Sequence, residues 1–215
     1  MRNVWLDDAL FDQYATVFPI LKKYGICERG IKVIIGVITG CVGKTFLWTD
    51  PYVKLPCMNV EQLKEMIAYG CKIASHSVTH SNFKHLSKEQ VTYELAESTK
   101  WIVENLKVTP VAFIPPHNDY PYSEQEEIIK KYVPYIRQPH QVHGKSTFSV
   151  GSLDSSLYIG RMGRPDLIIH MLTDDKNHKL SARWGKFYFP IERLRFEINL
   201  MELIKEAEKE NVPIP

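Results

Sequence analysis

The sequence predicts an α/β protein folded as a distorted (β/α) barrel with seven or eight strand–helix units. Short β-rich runs alternate with longer helical patterns, which is typical of parallel strands joined by crossover helices. Titratable residues follow several of the predicted strands, and in such barrels the loops after the strands meet at one face. The chain has 215 residues, whereas about 250 are typical of a regular eightfold barrel, so a distorted or incomplete barrel is expected.

The order of the elements follows from hydrophobic periodicity and from capping signals. Strands are predicted at residues 3–6, 31–38, 71–75, 111–114, 135–137, 157–161 and 167–171, with a closing strand at 212–214. Helices are predicted at residues 14–24, 59–69, 87–106, 123–132 and 191–210. Asn59 with Gln62 and Ser87 with Gln90 form capping-box patterns at two of these helices. Residues 40–57 are expected to form a loop.

Composition indicates one globular domain spanning residues 1–215. Apolar residues make up 44% of the chain and charged residues 24%, which is ordinary for a globular protein. No internal repeat, low-complexity segment or linker interrupts the sequence. The formal net charge is only +2, which argues against a dedicated nucleic-acid binder, because such proteins carry a clear basic excess or stripe. The sequence carries no signal for an oligomeric state.

The cysteines and the apolar runs bear on the compartment. The four cysteines form no C-x-x-C pair, so we expect free thiols in a reducing compartment rather than a zinc knuckle. No apolar run approaches the roughly 20 residues of a membrane span, and the first residues lack the apolar stretch of a signal peptide. As written, the sequence predicts a cytoplasmic protein; a secreted protein whose signal has been removed would look the same.

Residue types that bind metals or carry protons follow four of the predicted strands. They are Asp7 and Asp8, His76 and His80, His117 within PPHND, and His170. Two imidazoles four residues apart can face one point if the chain makes a helical turn after the strand. A carboxylate would complete a three-ligand site with an open position for a divalent metal.

Each of these signals also has an ordinary structural interpretation. His76 and His80 can be unrelated histidines, one in a turn and one at the surface, since H-x-x-x-H is a common spacing. Asp7 and Asp8 can lie in a solvated loop or cap the next helix. His170 sits in an apolar run and can be a satisfied core residue, although its place at the strand's carboxyl end favours a general acid.

Taken together, these segments resemble the polysaccharide deacetylase family, the NodB-homology domain of carbohydrate esterase family 4, over nearly the whole chain. The first motif is similar to Asp7–Asp8 at a strand end, followed by FPILKKYGI at residues 18–26. The second motif, H-[ST]-x-x-H, is met by HSVTH at residues 76–80 after KIAS. The strand with the family's last histidine is similar to LIIH at residues 167–170.

The resemblance implies a fold, a cofactor and a role for each site residue. It implies a distorted (β/α) barrel of seven or eight units, of the NodB-homology type. Asp7 would be the catalytic base and His170 the general acid that protonates the leaving amine. Asp8, His76 and His80 would hold one divalent metal ion, with zinc expected first and cobalt, nickel or manganese as alternatives.

The third motif departs from the family pattern. The family usually has R-P-P-Y-G here, and its arginine braces the catalytic aspartate, whereas this chain has Ile114 in place of the arginine. Arg137 and Arg161, each in a later predicted strand, are two candidates to supply the missing cation. His117 stands in place of the motif's aromatic residue, so Pro116 and His117 are predicted to contact substrate.

The function expected from this resemblance is removal of N-acetyl groups from an amino-sugar-containing glycan or sugar conjugate, so the expected partner is an N-acetylated carbohydrate. Deacylation of a lipid- or nucleotide-linked sugar is a variant that suits a cytoplasmic enzyme. A second hypothesis, motivated by Ile114, is a carbohydrate- or metal-binding barrel with impaired catalysis. A third is an iron oxygenase, because two histidines and one carboxylate also form that facial site.

Overall fold

The computed structural model describes residues 3–47, 54–119, 121–137 and 156–159, with positions 200, 201, 204, 205 and 208 of a C-terminal helix. Within these ranges the strands are β1 (Asn3–Leu6), β2 (Lys32–Val37), β3 (Thr45–Leu47), β4 (Lys54–Pro56), β5 (Lys72–Ser75) and β6 (Ser156–Ile159). The α-helices are α1 (Phe18–Lys23), α2 (Val60–Tyr69), α3 (Lys88–Leu106) and α4 (Ser123–Ile129).

A parallel sheet in the order β6–β1–β2–β5 forms the centre of the fold. Trp5 of β1 pairs with Ile34 of β2 on one side and with Tyr158 of β6 on the other. Ile35 of β2 pairs with Ile73 of β5. Because every one of these pairings is parallel, the carboxyl ends of the strands lie at one edge of the sheet, where the loops of a βα fold carry its chemistry.

Two extended segments continue the sheet beyond β5. Phe113 forms parallel bridges with Ser75 of β5 and with Ile136. The strands predicted at residues 111–114 and 135–137 are therefore in place, but each is reduced to a single bridging residue. Prolines stand on both sides of residues 111–114, and a proline has no N–H to donate to a ladder, which limits the length of the pairing.

The two faces of the sheet are both buried, as expected of a parallel sheet covered by helices. Successive side chains of a strand point to opposite faces. The outer face carries Val4, Leu6, Val33, Ile35, Val37 and Ile73, and these pack with buried residues of α1, α2 and α3. The inner face carries a smaller cluster of Trp5, Ile34, Ala74, Ala112 and Ile114. The inner cluster forms the floor beneath the edge where the strands end.

The two longest helices begin and end as their sequences predict. In α2 the Asn59 side chain accepts from the Gln62 N–H at 2.9 Å, and the Gln62 side chain accepts from the Asn59 N–H at 2.9 Å. Ser87 and Gln90 form the same reciprocal cap on α3. Gly70 ends α2 with φ +118, a conformation that glycine adopts at little cost. Among the helices described, none combines the length and apolar character that a membrane span requires.

Other predictions were wrong in detail or lie outside the described residues. Residues 40–57 were expected to form a loop, but β3 and β4 pair there as an antiparallel hairpin. The helix predicted from residue 14 starts with a π-helical stretch, Gln13–Val17. The helix predicted to reach residue 132 ends at Ile129. The strands predicted at 167–171 and 212–214 lie outside the described residues, as does most of the helix at 191–210.

All four cysteines are free, as predicted. They lie as two neighbouring pairs, because the thiols of Cys27 and Cys71 share a hydrogen bond and so do those of Cys41 and Cys57. This hydrogen bond lowers the pKa of the half-buried partners, Cys27 and Cys41. The same bond and burial raise the pKa of Cys57 and Cys71.

Candidate metal centre and active site

Asp8, His76 and His80 converge at the carboxyl edge of the sheet. Asp8 lies two residues beyond β1, and His76 directly follows β5. Asp8 Oδ1 is 3.1 Å from His76 Nε2 and 3.3 Å from His80 Nε2. One potential ligand atom from each residue lies within 4.8 Å of the other two. All three side chains are almost completely buried, at 1%, 1% and 5% exposure in the same order.

The hydrogen bond behind His76 determines which of its ring nitrogens can bind a metal. His76 Nδ1 lies 2.7 Å from the Ile114 carbonyl oxygen. A carbonyl can only accept a hydrogen bond, so Nδ1 donates to it, and Nε2, which faces Asp8, is the ring nitrogen that can bind a metal. A backbone carbonyl that orients an imidazole in this way is the usual support of a metal-binding histidine.

Two imidazoles and a carboxylate fit a divalent metal such as zinc. Metal sites of catalytic proteins commonly use three such nitrogen and oxygen ligands and leave a position for water or substrate. The buried Asp8 carboxylate lies beside two imidazoles, and a buried charge is costly unless it is paired or coordinates a metal. The donor set and its burial therefore form a possible metal site.

Backbone conformations with positive φ are concentrated around this cluster. Such values are uncommon for residues other than glycine. In the described part of the chain six non-glycine residues have them, and five of those six lie here: Asp8, Ala9, Ser77, His80 and His117. Non-glycine residues in such conformations cost about 1–3 kcal/mol each and cluster at functional sites, which agrees with a site at this edge.

Asp7 faces a different partner from that of Asp8. Arg137 Nη1 donates to Asp7 Oδ1 at 3.0 Å, and the two side chains are buried, at 3% and 6% exposure. The Gln13 side-chain amide donates to the Asp7 carbonyl oxygen at 2.6 Å. A buried guanidinium therefore holds the Asp7 carboxylate, one residue before Asp8.

Arg137 is one of the two arginines that the sequence offered in place of Ile114. The Phe113–Ile136 bridge and the Arg137 N–H bond to the Phe113 carbonyl, 2.9 Å, place Arg137 beside Ile114 on the neighbouring segment. Ile114 itself is fully buried in the inner apolar cluster. The guanidinium thus reaches Asp7 from the next segment of the sheet, while the second candidate, Arg161, lies outside the described residues.

The predicted substrate-contact residues lie beside the cluster. Pro116 is buried and His117 is exposed. His117 Nε2 donates to the His80 carbonyl oxygen at 3.1 Å, and the two imidazole rings are 4.6 Å apart. Asp119 accepts hydrogen bonds from Asn82 and Lys84, which lower the pKa of its carboxyl group. These bonds tie the loop carrying His117 to the loop after His80.

His170 lies outside the described residues, so its assignment as general acid stays a prediction. Glu94 was not singled out from the sequence. It lies behind residues 76–80, which we call the histidine turn, and accepts three hydrogen bonds from that turn. The signal was present, because an acidic residue stands between Val91 and Leu95 on the apolar face of α3.

Comparisons with known proteins show the family of this chain. The profile of the polysaccharide deacetylase family matches residues 4–132, a range that includes Asp7, Asp8, His76 and His80. The curated Bacillus subtilis (strain 168) protein YxkH, whose name assigns it to the polysaccharide deacetylases, is 32% identical over 97 residues. Those residues are 45% of this chain and 29% of YxkH, so the chain spans less than a third of that relative's length.

Solved structures share the fold at low sequence identity. The de-N-acetylase from Aggregatibacter actinomycetemcomitans matches with a TM-score of 0.53 and 18% identity, over 73% of this chain and 67% of that one. The BpsB deacetylase domain from Bordetella bronchiseptica matches with a TM-score of 0.50 and 19% identity, over 60% of each chain. These likenesses show the distorted (β/α) barrel that the sequence predicts. The family match covers more than half of the chain, and the protein therefore belongs to the polysaccharide deacetylase family.

Proposed function

We propose that this protein is a metal-dependent amide hydrolase that removes N-acetyl groups from an amino sugar of a glycan or sugar conjugate. The observation that carries the proposal is the convergence of Asp8, His76 and His80 next to a second buried carboxylate, Asp7, that is held by Arg137. Membership of the polysaccharide deacetylase family supports the same reaction class.

Asp8, His76 and His80 are the residues that would hold the metal. A divalent ion at this position supplies Lewis-acid activation of the amide carbonyl and of water. Zinc is the first expectation for a site of two imidazoles and one carboxylate, with cobalt, nickel or manganese as alternatives.

The neighbouring residues move and position the protons. Asp7 accepts a proton from the water that attacks the acetamide carbonyl carbon, as a general base. Arg137 fixes the orientation of the Asp7 carboxylate through the 3.0 Å hydrogen bond and matches its charge. His170 is proposed to protonate the sugar nitrogen as the carbon–nitrogen bond breaks, which releases acetate and a free amine.

The substrate is proposed to be an N-acetylated carbohydrate, approaching beside the exposed His117 ring. An exposed imidazole 4.6 Å from the ring of His80 can hydrogen-bond sugar hydroxyl groups. The buried Pro116 precedes it and shapes the wall of the site. A lipid- or nucleotide-linked sugar is the variant of this substrate that suits a cytoplasmic location.

The hypothesis of a binding barrel with impaired catalysis is weakened by Arg137. That hypothesis arose because Ile114 replaces the family's arginine. The Arg137 guanidinium reaches the Asp7 carboxylate from the neighbouring segment, so the loss of a cation at position 114 does not leave Asp7 without one.

The test measures acetate release from a panel of N-acetylated oligosaccharides and sugar conjugates, together with metal content. We expect the metal-loaded wild type to release acetate, and Asp7→Asn to lose that activity while retaining its metal. Asp8→Asn should lose metal and activity together, which separates the two carboxylates. Equal inactivity of the wild type and Asp7→Asn across the panel would favour the binding barrel. Oxygen consumption by the iron-loaded protein would favour the oxygenase.

A further inference from the structure

Helix α3 carries two polar side chains on its otherwise apolar buried face. Glu94 is 5% exposed and Ser98 is fully buried. The other buried residues of the helix are Val91, Leu95, Ile102 and Leu106. Residues four apart in a helix lie above one another on the same face. Because a buried carboxylate is costly unless it is well hydrogen-bonded, the partners of Glu94 indicate why it is there.

All three hydrogen bonds of Glu94 go to the turn between the two histidines. Glu94 Oε2 accepts from the Val78 N–H at 2.7 Å and from the Thr79 N–H at 3.0 Å. Glu94 Oε1 accepts from the Thr79 hydroxyl at 2.7 Å. Ser81 then donates to the Thr79 hydroxyl oxygen at 2.7 Å. The carboxylate therefore bonds two consecutive backbone amides that lie directly before His80.

Ser98 holds the other end of the same turn. The Ser98 hydroxyl donates its one proton to the Leu95 carbonyl oxygen at 3.2 Å. In the 2.7 Å hydrogen bond between the two serines, the Ser75 hydroxyl is therefore the donor and the Ser98 oxygen the acceptor. The Ser75 oxygen in turn accepts from the Ser77 N–H at 3.3 Å. Ser75 is the last residue of β5 and precedes His76. Helix α3 thus contacts the histidine turn at both ends through polar groups.

The backbone of this turn requires such support. Ser77 has φ +67 and His80 has φ +62, and neither residue favours the left-handed region as glycine does. Conformations of this kind persist only where the surrounding structure fixes them. The amides of Val78 and Thr79 lie between the two strained residues, and they are the groups that Glu94 binds.

We propose that Glu94 is a positioning residue that sets His80 for metal binding, with Ser98 supporting the His76 end of the turn. The inference rests on the metal site of the proposed function and is independent of the reaction carried out there. Glu94 touches neither metal nor substrate in this proposal, and it acts through the backbone of Val78 and Thr79.

The test compares Co²⁺ affinity of the wild type, Glu94→Gln and a matched control, Glu97→Gln, measured by competition with a chelator in the absence of substrate. Glu97 lies on the exposed side of the same helix. Glutamine keeps the size of Glu94 but removes its negative charge and leaves one acceptor oxygen in place of two, which weakens the charge-assisted hydrogen bonds to the turn. We expect Glu94→Gln to bind Co²⁺ about 10- to 100-fold more weakly, the usual effect of losing a group that orients metal ligands. Glu97→Gln should match the wild type.

A second readout separates positioning from folding. The visible absorption spectrum of bound Co²⁺ reports its coordination geometry, and we expect it to change in Glu94→Gln. If that variant does not fold, Thr79→Val removes a single hydroxyl partner of Glu94 and should weaken Co²⁺ binding to a smaller extent. The inference would be overturned if folded Glu94→Gln had the Co²⁺ affinity and the absorption spectrum of the wild type. If Glu94→Gln does not fold, the same result in Thr79→Val would overturn it.

The outcomes also distinguish this inference from the proposed function. A wild type that binds Co²⁺ but releases no acetate overturns the deacetylase proposal and leaves the role of Glu94 to be decided by the affinities. A wild type that binds no divalent metal overturns both.

Discussion

Asp7 and Asp8 are neighbours in the sequence, but their carboxylates have different partners. Asp8 lies within 3.3 Å of both histidine Nε2 atoms, whereas Asp7 accepts from Arg137. The positive φ of Asp8, +72, turns the chain sharply after β1 and separates the two side chains. This local geometry allows one carboxylate to bind a metal while the other remains available as a base.

Replacing Arg137 tests how far Asp7 depends on its guanidinium. Arg137→Met leaves the buried Asp7 carboxylate without this cation, and breaking a buried pair from one side costs about 3–5 kcal/mol of unfolding free energy. We also expect acetate release to fall by about 10²-fold, the effect of misplacing a reacting group by about 1 Å. Chemical denaturation and acetate assays measure the two effects.

Arg137→Lys serves as the conservative comparison. Lysine retains the charge but not the planar fork of donors, so intermediate stability and activity are expected. If the unfolding free energy and the rate of acetate release of Arg137→Met both equal those of the wild type, the guanidinium does not support Asp7.

At the scale of elements, the loop segments that flank the site pack against one another through their backbones. The Thr39 N–H donates to the Ser77 carbonyl at 3.1 Å, and the Gly40 N–H donates to the Val78 carbonyl at 3.0 Å. The Met58 N–H donates to the carbonyl oxygen of Ala9, the residue after Asp8, at 2.8 Å. The turn after β2 therefore lies directly against the turn that carries His80.

Gly40→Ala should disturb the histidine turn. A Cβ at position 40 would lie 2.6 Å from the Val78 carbonyl oxygen, closer than atoms can approach, so one of the two backbones must move. We expect a loss of about 1–3 kcal/mol in unfolding free energy, as for other overpacked sites, together with weaker metal binding. Chemical denaturation and chelator competition check the two parts.

Gly43→Ala is the matched control for this substitution. Gly43 has φ +70. A Cβ added at this position would have Asn59 Cβ as its nearest neighbour, at 3.9 Å, which is ordinary van der Waals contact. It should cost stability through backbone strain alone and leave the metal affinity unchanged. Equal metal affinities for Gly40→Ala and the wild type would show that the turn after β2 does not support the ligands.

Elements with strong local signals could be predicted from the sequence, and weakly signalled ones could not. The capping boxes at Asn59 and Ser87 located two helices to within a residue, because capping is a property of a few adjacent residues. The hairpin of β3 and β4 was missed because its strands have only three residues each. Phe46 and Leu55 of the hairpin pack with Leu10 and Ile38, and contacts between residues so distant in the sequence leave no local pattern.

At the scale of the whole molecule, parallel pairing brings together residues that are distant in the sequence. Asp8 and His76 are 68 positions apart, and Asp7 and Arg137 are 130 positions apart. The convergence of Asp8, His76 and His80 could be predicted, because the ends of parallel strands share an edge. The contact of Arg137 with Asp7, and the contact of Glu94 with the histidine turn, depend on strand register and helix orientation, which no local pattern encodes.

In the proposed function, Asp8, His76 and His80 together bind one divalent ion that the reaction requires. The measurement that tests it most directly is the metal content of the wild type and His80→Ala after zinc loading and dialysis, with acetate release followed on the same samples. We expect one zinc ion per active wild-type chain, and loss of both the zinc and the activity in His80→Ala, because two of three ligands do not hold a metal tightly. Full zinc content or full activity in folded His80→Ala would contradict it.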